Sequence, residues 1–271
     1  SNTGEIISDA GAFSFAWGRR ATVSAGLSYS RNEIDFETTA DIGLDQVEGV
    51  SITSAGDITV SAVSESVIKA ISLAGALSLS NSSTAVGAAA TGAISRNVIT
   101  SRTNSGIRNR RRTQASHSIP IRSTQGAISV ISEDDSKIQS LAIGASVAIS
   151  SGATAVSVSI SASIARNEIN SDVTAMISDA DVSSHLDTVV RAGKEPEADG
   201  SRPANRSISA ISVAASVSLA SGSSQEVSLA GAGAESSNVI LGDTTASVVD
   251  SNLLSDAGIQ LQANDKSAIS A

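Results

Sequence analysis

Residues 70–79 alternate between large apolar and small side chains, broken only at Gly75. Ile71, Leu73, Leu77 and Leu79 stand on one parity, and Ala70, Ser72, Ala74, Ala76 and Ser78 on the other. The pattern returns at Leu141, Ile143, Val147 and Ile149, and again at Ile211, Val213, Val217 and Leu219. Period two is the signature of strands, whose successive side chains point to opposite faces. It predicts a large-apolar face in the core and a Ser/Ala/Gly face that is solvated or packed closely on another layer. Each run stops at a small polar cluster, SNSS at 80–83, SSG at 150–152 and SGSS at 221–224, which is turn composition. A second alternating run follows, for example Val156, Val158, Ile160 and Ile164.

These runs belong to an internal repeat. SRNEI at 30–34 recurs as SRNVI at 95–99, ARNEI at 165–169 and SSNVI at 236–240, so that Asn32, Asn97, Asn167 and Asn238 are spaced by 65, 70 and 71. A second landmark agrees: Gly56 lies 41 residues before Asn97, and Gly126 lies 41 residues before Asn167. Ile68, Ile138 and Ile208 are each 70 apart. In the third copy the Gly-led strand is read as HLDTVVRAG at 185–193, followed by an insertion at 194–205. The chain divides into a partial copy 1–30, repeats 31–95, 96–165 and 166–236, and a partial copy 237–271. Self-similarity at a fixed period is the mark of repeat architectures. The expected fold is therefore all-β, a repetitive parallel β-solenoid (β-helix) with repeats of about 70 residues. Repeated long antiparallel β-hairpins are the alternative, because two long strands flanking a turn fit both. The recurring Asn is read as a structural residue that marks turns and corners, or that bonds from rung to rung when stacked.

Composition narrows the function classes. Aromatics are only 2% of the chain, so small and β-branched residues must do the packing. There is no Cys, which excludes disulfides, thiolate metal sites and a cysteine nucleophile. A net charge of −9 argues against nucleic acid as a partner. Residues 138–165 carry no charge and are long enough to span a bilayer. Their alternation is that of strands, and one Trp, one Tyr and three Phe are few for the aromatic girdles of a membrane barrel. No membrane insertion is expected.

The chemistry-bearing residues are few. His117 and His185 are the two histidines, and Asp187 beside His185 among many serines is a coincidence rather than a triad; the chain is expected to be non-catalytic. Asp134 and Asp135 in SEDDS, with Asp179 and Asp181 in SDAD, are candidate calcium ligands. No EF-hand loop or glycine-aspartate nonapeptide accompanies them, so solvated turns are the preferred reading and no cofactor is expected. Arg108, Arg110, Arg111 and Arg112 form a basic run, a candidate site for an anionic glycan. A solvated surface loop is preferred there too.

The runs ASVAISSGATAV, ARNEI and DVTAMISDADV together resemble the repeats of large bacterial filamentous adhesins and leukotoxin-type surface proteins. Asn167 and the segment Thr174 to Val182 carry the likeness, and Thr245 to Asp250 and Thr39 to Ile42 echo it. The resemblance implies an extracellular or cell-surface protein and a β-helical stalk. It also implies contact with a host or neighbouring cell, glycans included, and packing against neighbouring repeats of the same chain. A polysaccharide-binding or polysaccharide-active β-helix protein is the alternative.

Overall fold

The computed structural model describes residues 1–44, 51–109, 119–195 and 204–271. Among them the regular structure is all strand. Two long strands open the chain, β1 (Asn2–Gly18) and β2 (Ala21–Leu44), before the short β3 (Ile52–Ser54). The same order returns as β4 (Ile58–Asn81), β5 (Thr84–Asn109) and β6 (Ile119–Ser123). In the next copy β7 (Ile128–Ser178) runs through both long segments, before β8 (Ala180–Ser184) and β9 (Thr188–Ala192). Last come β10 (Arg206–Leu241), β11 (Thr244–Val249), β12 (Asn252–Ser255), β13 (Ile259–Ala263) and β14 (Ser267–Ser270).

Pairing is parallel throughout. β1, β4, β7, β10 and β14 neighbour one another in one sheet, with β2, β5 and the second halves of β7 and β10 side by side in the same order. β3, β6, β8 and β12 make a separate short sheet. β4 lies on β7 with Ile58 opposite Ile128 and Asn81 opposite Ser151, without a register break. After the turn β5 lies on the rest of β7, from Thr84 opposite Thr154 to Arg108 opposite Ser178. A strand and its successor fold back on each other yet bond to the neighbouring copies, which rules out the hairpin alternative. The third-copy strand also falls where the sequence places it: β9 pairs with 128–132, and the insertion interrupts the strand before β10 resumes opposite Ser136.

The interior divides in two. At one end Ile58, Val60, Ile107, Ile121, Ile128, Val130, Ile177 and Val182 fill a broad apolar core bounded by both long segments and the short sheet. Next comes a band of stacked isoleucines, including Ile68, Ile138 and Ile208 on one layer and Ile99 and Ile169 on the other. Beyond that band the two layers close on each other and only small residues lie between them. Alanines 74, 93, 142 and 165 form one cluster and alanines 76, 89 and 148 another. Serine hydroxyls bridge the layers, Ser28 to Ser72 at 2.8 Å and Thr22 to Ser78 at 2.7 Å.

This arrangement overturns one sequence expectation. The 71/141/211 register points outward: Leu73 is 44% exposed and Ile211 56%, while Ser72 between Ile71 and Leu73 is fully buried. The second run, Val156 to Ile164, faces outward as well. The reason is space. A methyl group at Gly144 would stand 2.8 Å from the Ala162 carbonyl across the interior, and one at Gly26 would stand 2.4 Å from that of Gly75. Leucine cannot enter a gap that excludes a Cβ, so the Ser/Ala/Gly face is the inner one. Hydroxyls are tolerated there because they find partners, as a buried polar group must.

Candidate functional sites: an Asn ladder, a buried charged stack and two outward apolar faces

The Asn landmark lies in mid-strand, not at a corner. Asn32, Asn97, Asn167 and Asn238 are stacked in register, and each amide Nδ2 donates to the next Oδ1 at 2.8, 2.8 and 2.7 Å. Every amide in the middle of the stack is both donor and acceptor, which its NH2 and carbonyl allow at once. This is the rung-to-rung bonding anticipated for stacked Asn. On the outer face beside it Arg31, Arg96 and Arg166 stand in one column. Arg31 pairs with Glu33 at 3.0 Å and Arg166 with Glu235 at 3.6 Å. True corners use another residue, since Asp179 and Asp250, at the ends of β7 and β11, both have positive φ. Asp tolerates that conformation better than most residues.

Deeper inside, two columns hold Ser in one copy and a charge in another: Ser64 stands opposite Asp134, and Ser66 and Ser136 stand in line with Arg206. Asp134 is 1% exposed and accepts from Ser101 at 3.2 Å, Ser136 at 2.8 Å and Ser171 at 2.7 Å. Arg206, 2% exposed, sits opposite Ser136. It donates to the carbonyls of Ser171 and Leu241 at 2.9 and 3.2 Å and pairs with Asp265 at 2.7 Å. Ser171 therefore links the buried carboxylate to the buried guanidinium, by its hydroxyl to one and its carbonyl to the other. Both charges are hydrogen-bonded several times over, as burial demands.

The four candidate cation ligands are not gathered. Asp134 points in, while Asp135 points out to Lys137 at 2.9 Å and to Lys194; successive strand residues must diverge in this way. Asp179 is a corner residue, and Asp181 accepts from Asn252 at 2.8 Å. Among the described residues no three His, Asp or Glu come together as a metal site. His185 pairs with Asp256, 71 positions along, at 2.9 Å on the surface. The Ser184 hydroxyl is turned away to Leu186 and Thr188. Arg108 meets Asp41 at 3.5 Å. Arg110, Arg111, Arg112 and His117 lie outside the described residues, as does most of the 194–205 insertion, though its last residue, Asn205, is buried and bonds the Asn264 carbonyl at 3.0 Å.

The largest feature that sequence reasoning missed is on the outside. The outward positions of 9–17, 71–79, 141–149 and 211–219 lie side by side on one face of the thin region, and apart from Asp9 at its margin none is charged or polar. The opposite face carries the outward positions of 21–29, 86–94, 156–164 and 227–235, where Glu235 at the margin, opposite Ile164 and paired with Arg166, is the one charge. Trp17 is 80% exposed and Leu27 78%. The signal was present in the sequence, as the large-apolar parity itself, but it was assigned to the core. No family model, curated protein or solved structure matches this chain.

Proposed function

We propose that this chain is a structural and adhesive segment of a large bacterial cell-surface or secreted repeat protein. In this reading it is a parallel β-solenoid with coils of about 70 residues, acting as a stalk or contact surface outside the cell and carrying out no catalysis. The observation that carries the reading is the recurrent stacking of like on like in parallel register. Asn meets Asn, Arg meets Arg, and Ile68, Ile138 and Ile208 lie in one column. Each copy leaves its ladder edges to be satisfied by the next, which is the economy of a rod extended by repetition. Host or neighbouring-cell surfaces and their glycans are the partners that suit such a rod.

One, two and three copies, expressed separately and followed by denaturant unfolding, test it. A single copy such as 96–165 should be unfolded or aggregated because its strand edges are bare, and stability should rise with each copy added. A lone copy as stable as the whole chain would refute the solenoid and the stalk with it.

A further inference from the structure

Against the expectation of no membrane insertion drawn from the few aromatics, we infer that the thin region is built to stand in a lipid bilayer, its two outward apolar faces in hydrocarbon and its broad end in water. Three observations support a bilayer over a partner protein. The first is that both faces of the slab are apolar on the outward positions of 71–79 and 86–94 and of 141–149 and 156–164 stacked on them. The carboxylates of the flanking copies, Asp9 beside Ile71 and Glu235 beside Ile164, stand only at the margin next to the Arg column. A protein docked on one face would leave the other in water, whereas lipid surrounds both. The second is length. Nine residues of extended strand reach about 30 Å, the thickness of the hydrocarbon layer. The third is what bounds this band. Trp17 and Arg19 stand at the turn end, and Tyr29 and the Arg31, Arg96, Arg166 column at the other. Amphipathic rings and arginines are the side chains that settle at headgroup level, where phosphates complement the guanidinium charge.

Between copies the interior meets the condition that hydrocarbon imposes, that backbone polar groups be satisfied internally. Among the interlayer hydroxyls of 211–219 only Ser218 Oγ is left without a partner. The parallel ladders bind the backbone from copy to copy, and the interlayer serines bind each other or carbonyls, as Ser146 with Ser159 at 2.8 Å and Ser163 with the Ala142 carbonyl at 2.6 Å. The turns that would cross to the far side in the two central copies, SNSS and SSG, carry no charge. The outer ladder edges of β1 and β10 cannot remain open in lipid, so inserted chains pair edge to edge. This inference stands apart from the stalk reading: failure to enter lipid would leave the copy-number result untouched, and a stable single copy would leave the apolar faces as they are.

The single Trp reports on it directly. The whole chain is mixed with vesicles of phosphatidylcholine, with and without a minority of phosphatidylglycerol, and floated on a density gradient. The expected result is co-flotation with a blue shift of Trp17 emission. In a Trp17→Phe, Ala145→Trp variant the probe sits at mid-band and should be quenched best by bromines half-way along the acyl chain. Ala145→Arg and Ile160→Arg, one on each face, should each weaken partitioning roughly thirtyfold or more. Both positions are exposed, so circular dichroism and melting should be unchanged. Added arginine strengthens attraction to anionic lipid, so only burial in hydrocarbon explains a loss. A chain that stays at the bottom of the gradient overturns the inference. So does flotation with the mid-band probe untouched by acyl-chain bromines, which is surface attachment. A lipid-independent blue shift that grows with protein concentration would mean that a second copy covers these faces, and overturns it equally.

Discussion

The broad end and the thin region of this protein use the same alternation in opposite senses. In the broad end Ile58, Val60, Ile128 and Val130 point inward and the residues between them outward. In the thin region Ser72, Ala74, Ala76 and Ser78 point inward, and Ile71, Leu73, Leu77 and Leu79 outward. The strand does not twist over between the two. The large residues change parity, from Ile68 to Ile71 in one copy and from Ile138 to Leu141 in the next. What differs is the room available: three walls hold the broad end open, while two walls meet in the thin one. Period two divides a strand into faces, but the spacing of the opposing layer decides which face is inside.

The sharpest way to break this comparison is to put the same charge on either side of the parity change. Ile68→Asp buries a carboxylate at a position with no exposure and should cost at least ~3 kcal/mol. Leu73→Asp places it outside and should stay within about 0.5 kcal/mol. Urea unfolding of the two variants decides the matter, and equal losses would mean that the outward face is packed. Ile143→Asp, in the column of Leu73, should be as mild.

Bulk probes the same difference with smaller effect. Ala142→Leu adds volume where the layers touch and should lose roughly 1–3 kcal/mol by overpacking. Leu219→Ala, at a position 55% exposed, should lose less than about 1 kcal/mol. If Ala142→Leu melted like the parent chain, the layers would have room that the Gly26 and Gly144 contacts deny.

A polar pair sharpens it further. Asn97→Ala leaves the amide of Asn32 without its acceptor and Asn167 without a donor, a loss of about 1–3 kcal/mol for buried groups. Its neighbour Arg96 is exposed and stands between two like charges, so Arg96→Ala should be neutral or slightly stabilising. Thermal melts of both, read at low and high salt, separate the buried ladder from the exposed column, because only the latter is screened.

Much of this was legible beforehand. The Asn landmark, the Gly56/Gly126 pair and the isoleucines at 70-residue spacing predicted the register that the ladders adopt, because stacked copies must repeat whatever their neighbours need. The inward face was not legible, since hydrophobicity alone assigns large residues to a core and says nothing of layer spacing. Nor was the Asn stack placed in mid-strand, because the preference of Asn for corners is a local argument and the ladder is a long-range one. Asp134 and Asp135 were grouped by adjacency, although period two already places neighbours on opposite sides. The Asp134, Ser171 and Arg206 cluster had no sequence signal: the position opposite Asp134 in β4 is Ser64 and that opposite Arg206 in β7 is Ser136, so no column of like residues marks it.

The smallest effect expected concerns two glycines that differ only in which side they face. Gly26 lies on the inner face, where an added methyl would press on the Gly75 carbonyl of the opposite layer. Gly26→Ala should therefore destabilise. Gly231 is exposed on the outer face of β10 opposite Ile160, and nothing stands within 4 Å of where its Cβ would be. A strand glycine in open space contributes no packing and carries the entropy of an unrestricted backbone. Gly231→Val should therefore gain about 0.5–1 kcal/mol. The added side chain would also extend the apolar column that runs through Ile160, so the gain joins stability to the outward face. Paired melts of the two variants make the comparison. A loss at Gly231 as large as at Gly26 would mean that the outer face of β10 is covered, and that the two sides of the thin region are more alike than their exposures indicate.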